Sequence, residues 1–284
     1  MSDTKFKAES GKTQKKVASD LGWSTGKTAQ ADYVWKHGDE KVREKVKSGE
    51  ETIGGAYKKV KKEKRQQEIQ QERKEIAAKA SQITSTERWS VECGDIRHWN
   101  SPHRYDFIIT DPPYPKEYLP LYKDLGRRAN EWLKPGGLLV VMCGQSYLEQ
   151  IYAMLSEHMD YYWTGCYLTP GQPTPLRQVN VNTTWKPLLM FCRKGDKYSG
   201  KTFGDVFKSD ANDKDFHKWG QSVSGMYSIV SKICLPGQRI LDPFCGAGTT
   251  GVAALKHGCL FDGIDVDEEQ VALSRGRLGG VASD

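Results

Sequence analysis

The 284-residue chain is long enough for one or two domains and a real hydrophobic core, since domains usually run to roughly 100–200 residues. Its longest apolar run, Gly137 to Cys143, is far short of the ~20 residues of a membrane helix, and the Lys-rich start has no secretory pattern; no membrane role and a cytoplasmic location are expected. The formal net charge of +6 is unevenly placed: residues 1–88 carry 21 Lys and Arg against 14 Asp and Glu and the remainder 21 against 22, the pattern of a polyanion-binding arm on a near-neutral domain.

Read in chain order, the first part is polar and helical. Thr13 to Asp20 forms a short predicted helix, Leu21-Gly22-Trp23 a turn, and Ser24 a cap for a second helix running to about Trp35. Ala18 and Gly22 supply the small residue and the positive-φ position that a helix-turn-helix needs. Helices near Glu40–Lys47 and Ile53–Val60 follow, with Gly49 as a C-cap between them. Lys58 to Lys79 is almost wholly polar and reads as a solvated helix or linker; Val60, Ile69 and Ile76 are sparse seam positions that leave a homodimer open. The segment Gly22 to Thr28 (GWSTGKT) is one residue short of a phosphate loop and follows no strand, so a nucleotide-phosphate reading is rejected. The expected organisation is a helix-turn-helix module over 1–62, a polar helical linker over 63–85, and an α/β domain over 86–284.

In that last part, strands are predicted near 89–93, 105–110, 137–143, 161–168, 187–193, 239–243 and 260–265. Helices near 117–132, 145–157, 221–233, 249–257 and 267–277 separate most of them. This predicts a Rossmann-like, mostly parallel sheet with helices on both faces, and an antiparallel hairpin within 161–193, where two strands have no helix between them. The seven cysteines occur singly with no CxxC pair, which fits free thiols in a reducing compartment. The six histidines show no ligand spacing, so no metal is expected.

Two segments carry chemistry. Arg104 to Pro115 (RYDFIITDPPYP) delivers Asp111-Pro112-Pro113-Tyr114 from an apolar strand to the sheet edge. The prolines stiffen the backbone and expose carbonyls. The Asp111 carboxylate and the Pro112 carbonyl can accept the two hydrogens of an exocyclic amino group, favouring a tetrahedral nitrogen whose lone pair is available; Tyr114 offers a face for an extruded base. Arg239 to Gly251 (RILDPFCGAGTTG) ends a strand at Asp242 and turns through Gly246 and Gly248 into a helix near Thr249, whose first amides can bind a carboxylate. Further on, Phe261-Asp262-Gly263-Ile264-Asp265 is a strand ending in an acid suited to ribose hydroxyls. With no Lys in the Gly-rich turn, a nucleoside without phosphates is the expected ligand.

DPPY together with DPFCGAGTT and GIDVD resembles the DNA amino-methyltransferases that modify adenine N6 or cytosine N4. The catalytic motif precedes the Gly-rich one, as in the permuted β group of that family. The resemblance covers about 89–277 and implies S-adenosylmethionine as cofactor. It implies that Asp242, Phe244, Gly246 and Gly248 line the methionine side, with Thr249 at the helix start, and that Asp265 holds the ribose. Cys93-Gly94-Asp95-Ile96 is similar to the strand-end motif that contacts the cofactor adenine, with Asp95 accepting from its amino group. His217 falls at a cofactor-flanking position, although the prolines usual there are absent. Trp185 and Lys186 fall where family members contact the target base. The first 60 residues resemble the helix-turn-helix region of ParB-like partition proteins, which implies a recognition helix from Ser24 to Trp35 with Lys27, Thr28 and Gln30 as DNA contacts. Only residues 194–220 remain for target recognition within the α/β part, so the N-terminal module is expected to supply part of the affinity for double-stranded DNA.

The expected activity is site-specific methylation of adenine N6, because the DPPY form usually goes with adenine. Cytosine N4 is the alternative, followed by an RNA or protein-amide substrate and by a non-catalytic DNA-binding adaptor. A cognate restriction nuclease is a candidate partner that the sequence does not identify.

Overall fold

The computed structural model describes residues 12–80, 83, 85–168, 173–177, 179–210 and 222–282. The chain divides into two compact units, Met1–Glu72 and Arg73–Asp284.

The first unit is all helical: α1 (Lys12–Asp20), α2 (Thr25–His37), α3 (Glu40–Ser48) and the start of α4 (Ile53–Ala80). Its boundaries follow from local chemistry. Gly22 turns between α1 and α2 at φ 63°, the left-handed region where a Cβ is disfavoured. The Ser24 hydroxyl accepts from the Lys27 amide at 3.2 Å, the Asp39 carboxylate accepts from the Val42 amide at 2.7 Å, and Gly49 ends α3 at φ 81°. Val34, Val42, Ala56 and Val60 form its small core, flanked by Tyr33, Val46 and Tyr57.

The separate helix and polar linker expected over 53–79 are one helix, α4. From Tyr57 to Ala80 the sequence is dominated by strong helix formers and contains neither Gly nor Pro, so nothing local stops propagation. The division between units falls inside α4. Of the three seam positions, Val60 is buried in the first unit's core and Ile76 packs against Gly276 within the second unit.

The second unit is built on an eight-stranded sheet: β1 (Trp89–Cys93), β2 (Tyr105–Thr110), β3 (Leu133–Met142), β4 (Met159–Leu168), β7 (Trp185–Arg193), β8 (Val206–Lys208), β9 (Arg239–Asp242) and β10 (Leu260–Asp265). The order across it is β1-β10-β9-β2-β3-β7-β4-β8; β1 to β3 run parallel through β10 and β9, and β7 is antiparallel to both its neighbours. The predicted hairpin is the β4–β7 pair. Between them a second, two-stranded sheet, β5 (Thr174–Leu176) with β6 (Val181–Thr183), was not foreseen, nor was three-residue β8.

Central strands are buried on both faces, as their continuous apolar runs require. Phe107, Ile109, Leu138, Val140 and Met142 meet α7 (Val223–Ile233), α8 (Thr249–Lys256) and α9 (Glu268–Ala282) on one side. Ile108, Leu139, Val141, Leu189 and Phe191 meet α5 (Pro120–Trp132) and α6 (Leu148–Ser156) on the other. The predicted helix from 117 begins instead as a 3-10 turn, Lys116–Tyr118, with Pro120 opening α5 where its missing N–H costs nothing. Among the described residues, no helix is long and apolar enough to cross a membrane.

Candidate active site

Because β1, β10, β9 and β2 are parallel neighbours, their carboxyl ends reach one edge at Cys93, Asp265, Asp242 and Thr110. The pairing of β2 with β9 (Ile108 opposite Leu241) brings together two motifs about 130 residues apart in sequence. The Thr110 hydroxyl donates to Asp242 Oδ1 at 2.7 Å.

Asp111 leaves β2 at this edge, half-buried, followed by buried Pro112 and half-buried Pro113 and Tyr114. The Tyr114 hydroxyl donates a short hydrogen bond to Asp111 Oδ1 and accepts one from Lys186 Nζ at 3.0 Å. The Lys186 ammonium also lies 4.9 Å from the Tyr114 ring centroid, a cation–π distance. The ring rests over Gly144, where a Cβ would come within 3.7 Å of it. Lys186 reaches the site because β7 runs antiparallel and starts at this edge. Burial, and then the Asp111 carboxylate, push the Tyr114 hydroxyl's pKa well up. Beneath the loop, burial and Asp111 raise Cys143 to about 12, with Lys186 opposing. Tyr122 of α5 has a buried hydroxyl there without a hydrogen-bond partner. The motif reading expected Lys186 as a base contact and gave no sign of its bond to Tyr114, which joins residues 72 positions apart.

On the other side of Asp242, Gly246 and Gly248 take φ 49° and 75° in the predicted turn, and α8 starts at Thr249. A Cβ on Gly246 would meet nothing within 4 Å, so this glycine borders open space. Its amide donates to Asp265 Oδ2 at 2.8 Å, tying the turn to the end of β10. Phe244 is half-buried. Asp242 lies differently from the expectation that it lines a ligand: it is 3% exposed, and its oxygens are taken by Thr110, Thr250 (2.6 Å) and the Phe244 amide (3.1 Å). It therefore holds the turn rather than facing the opening. Burial raises Asp242 to about 6 against the opposing Thr110 and Thr250 hydroxyls, with the nearby Asp111 charge adding to the rise.

Asp95 follows β1 half-buried, and Ile96 is buried in the core. The Arg97 guanidinium grips Asp95, with Nε 3.0 Å from both oxygens, and holds its carboxyl down at about 2. Arg277 of α9, missed by the motif reading, donates to the Ala247 carbonyl at 2.5 Å and to the Thr249 hydroxyl at 3.3 Å. Trp185 is half-buried at the start of β7. His217 lies outside the described residues.

In the first unit, Lys27 is exposed on α2 with its ammonium 4.6 Å from the Trp23 ring centroid, and Gln30 is half-buried. Thr28 corrects the expectation: it is 4% exposed and its hydroxyl donates to the Ser24 carbonyl at 3.2 Å, so it faces the unit's interior rather than a groove.

The edge thus collects Asp95, Asp111, Asp242 and Asp265 around an open glycine turn. Carboxylates there disfavour a phosphate and suit a ligand with a positive centre and hydroxyls.

A family model described as DNA methylase, N6_N4_Mtase, matches residues 105–275. The chain is 27% identical over 172 residues to the type II methyltransferase M2.DpnII of Streptococcus pneumoniae; the match covers 54% of this chain and 64% of that protein, so less than two thirds of the relative's length is spanned. Its fold is similar to the crystal structure of the M1.HpyAVI–SAM complex, with TM-score 0.56 and 23% identity over 67% of this chain and 98% of the other. It is also similar to the PvuII DNA methyltransferase, cytosine-N4-specific, with TM-score 0.56 and 16% identity over 68% and 87%.

Proposed function

Starting from a chain that belongs to the N6/N4 DNA methylase family, we propose that it is a site-specific DNA methyltransferase using S-adenosylmethionine, with adenine N6 as its target. The observation that carries this reading is the adjacency of Asp111 and Tyr114 to the Gly246–Gly248 turn along one sheet edge. The donor set fits the cofactor. The turn and α8 amides suit the methionyl carboxylate, Asp265 suits the ribose hydroxyls, Asp95 the adenine amino group, and the collected carboxylates the positive charge. S-adenosylmethionine, when bound, supplies a methyl group activated by its sulfonium.

The protein's part is to make an aromatic amine a nucleophile. The amino lone pair is normally delocalised into the ring. Asp111 and the Pro112 carbonyl accept the two amino hydrogens and hold the nitrogen pyramidal, which localises the lone pair; Asp111 is then placed to take the proton that nitrogen must lose. The Tyr114 hydroxyl donates to Asp111 Oδ1. Asp111 has acceptor sites left for an amino hydrogen beside that bond, and Lys186 holds the Tyr114 hydroxyl while the ring offers a face for the base. The N-terminal unit, with exposed Lys27 and partly exposed Gln30 on α2, adds affinity for duplex DNA in a cytoplasmic enzyme.

Cytosine N4 is the second reading, favoured by the fold likeness to the cytosine-N4-specific PvuII enzyme. The test is transfer of radiolabel from methyl-labelled S-adenosylmethionine to mixed-sequence duplex DNA, followed by nucleoside separation. Label in N6-methyladenosine that vanishes in Asp111→Ala is expected. Label in N4-methylcytosine replaces the adenine reading, and no label with cofactor still bound overturns both. Deleting residues 1–72 should weaken DNA binding and flatten its salt dependence; an unchanged salt slope ends the claim for the N-terminal unit.

A further inference from the structure

The glycine turn is gripped from behind by α9. Ser274 is fully buried under Gly248, where a Cβ would come within 2.3 Å of its hydroxyl oxygen. Three residues on, Arg277 Nη1 donates to the Ala247 carbonyl at 2.5 Å and to Thr249 Oγ1 at 3.3 Å. Residues 247, 248 and 249 are therefore each touched by one helix.

A different face of α9 is seated on the segment that precedes β1. A Cβ on Gly276 would come within 2.7 Å of the Ile76 backbone carbonyl, and one on Gly279 within 2.8 Å of the Ile83 side chain. At the start of α9, Glu269 pairs with Arg73 at 3.3 Å. The glycines at 276 and 279 let this contact reach backbone distance.

We propose that Arg277 is a positioning residue for cofactor binding, and that α9, seated on Arg73, Ile76 and Ile83, is the brace through which it acts. The proposal rests on the reading that the Gly246–Thr249 turn takes the methionyl end of S-adenosylmethionine. A turn with two left-handed glycines has many conformations to lose when it closes on a ligand. A guanidinium that ties the Ala247 carbonyl to the Thr249 hydroxyl removes much of that freedom in advance, and a preorganised turn binds more tightly at unchanged contacts.

The test uses the full chain and S-adenosylhomocysteine as the probe. Affinity is measured by calorimetry, and amide hydrogen exchange over 246–249 is followed without ligand. Arg277→Gln should weaken binding by about tenfold or more, as loss of a charge-assisted hydrogen bond implies. It should also speed exchange in the turn, while Arg277→Lys restores part of both. Gly276→Ala, which forces α9 off Ile76, should act in the same direction. If the parent chain binds the probe and Arg277→Gln binds equally well, the proposal is overturned. If affinity falls with exchange unchanged, Arg277 contacts the ligand and does not position the turn, which also overturns it. If the parent chain binds no S-adenosylhomocysteine, the reading of the turn fails and the proposal with it.

Discussion

The two edges of one sheet treat the same side chain in opposite ways. At the amino edge, carboxylates sit against cations: Asp106 with Lys134 (2.8 Å), Asp160 with Lys194 (3.1 Å) and buried Asp262 with Arg239 (3.0 Å). At the carboxyl edge, Asp242 is held by two threonine hydroxyls and an amide, and Asp265 by the amides of Gly246 and Asp267. Asp95, at the same edge, is gripped by Arg97. A carboxylate beside a cation has spent its charge on the fold. One fixed by neutral donors is equally well placed but keeps its field, and so remains able to attract something positive.

That contrast can be broken by single substitutions. The largest expected effect is at the carboxyl edge. Asp111→Ala should lower kcat for methyl transfer by about 10²–10³-fold or more, as loss of one preorganised electrostatic contact does elsewhere. Its melting temperature should stay close to the parent's. A large loss of stability in this variant would mean that the carboxyl edge is structural after all. Asp262→Ala should do the reverse. It strands Arg239, which is only 17% exposed, and should cost about 3–5 kcal/mol in urea unfolding while leaving transfer by the folded fraction intact.

Asp242 sharpens the comparison through pH. Its folded value of about 6 lies above the ordinary 3.8, so between the two the native state holds more protons than the unfolded one. Its contribution to stability is full below 3.8 and is lost as pH rises through about 6. Asp242→Asn should therefore narrow the difference in urea midpoint between pH 4.5 and pH 7.5; equal pH dependence in parent and variant would refute the assignment. Lys134→Met should have the smallest effect. Its partner pair is exposed at the lysine end, and under about 1 kcal/mol is expected from thermal unfolding.

The strands and the turns at their ends were legible because their signals are local. DPPY after an apolar run and DPFCGAGTT before a helix each announce a strand end, and Ser24, Gly22 and Gly49 announce helix boundaries within a few residues. What sequence pattern could not supply was adjacency. Nothing near Lys186 points to Tyr114, and nothing near Arg277 points to Ala247. Those contacts exist only once β7 and α9 are in place. Thr28 was misread because α2 has no clear apolar stripe to show which way a polar residue turns, and here its hydroxyl bonds to the Ser24 carbonyl that caps its own helix. The tail of α4 was read as a polar helical linker, and its polar composition hides the packing of Ile76, whose fit depends on a glycine 200 residues later.

The sheet order has a consequence for synthesis. The strands β10 and β9, which lie between β1 and β2, emerge from the ribosome after all the others. Until they do, β1 has no neighbour and β2 presents an open edge ready to pair with another nascent chain. The loop that carries Asp111 is thus translated long before the strand beside it, and Thr110 has no Asp242 to bond until β9 is released.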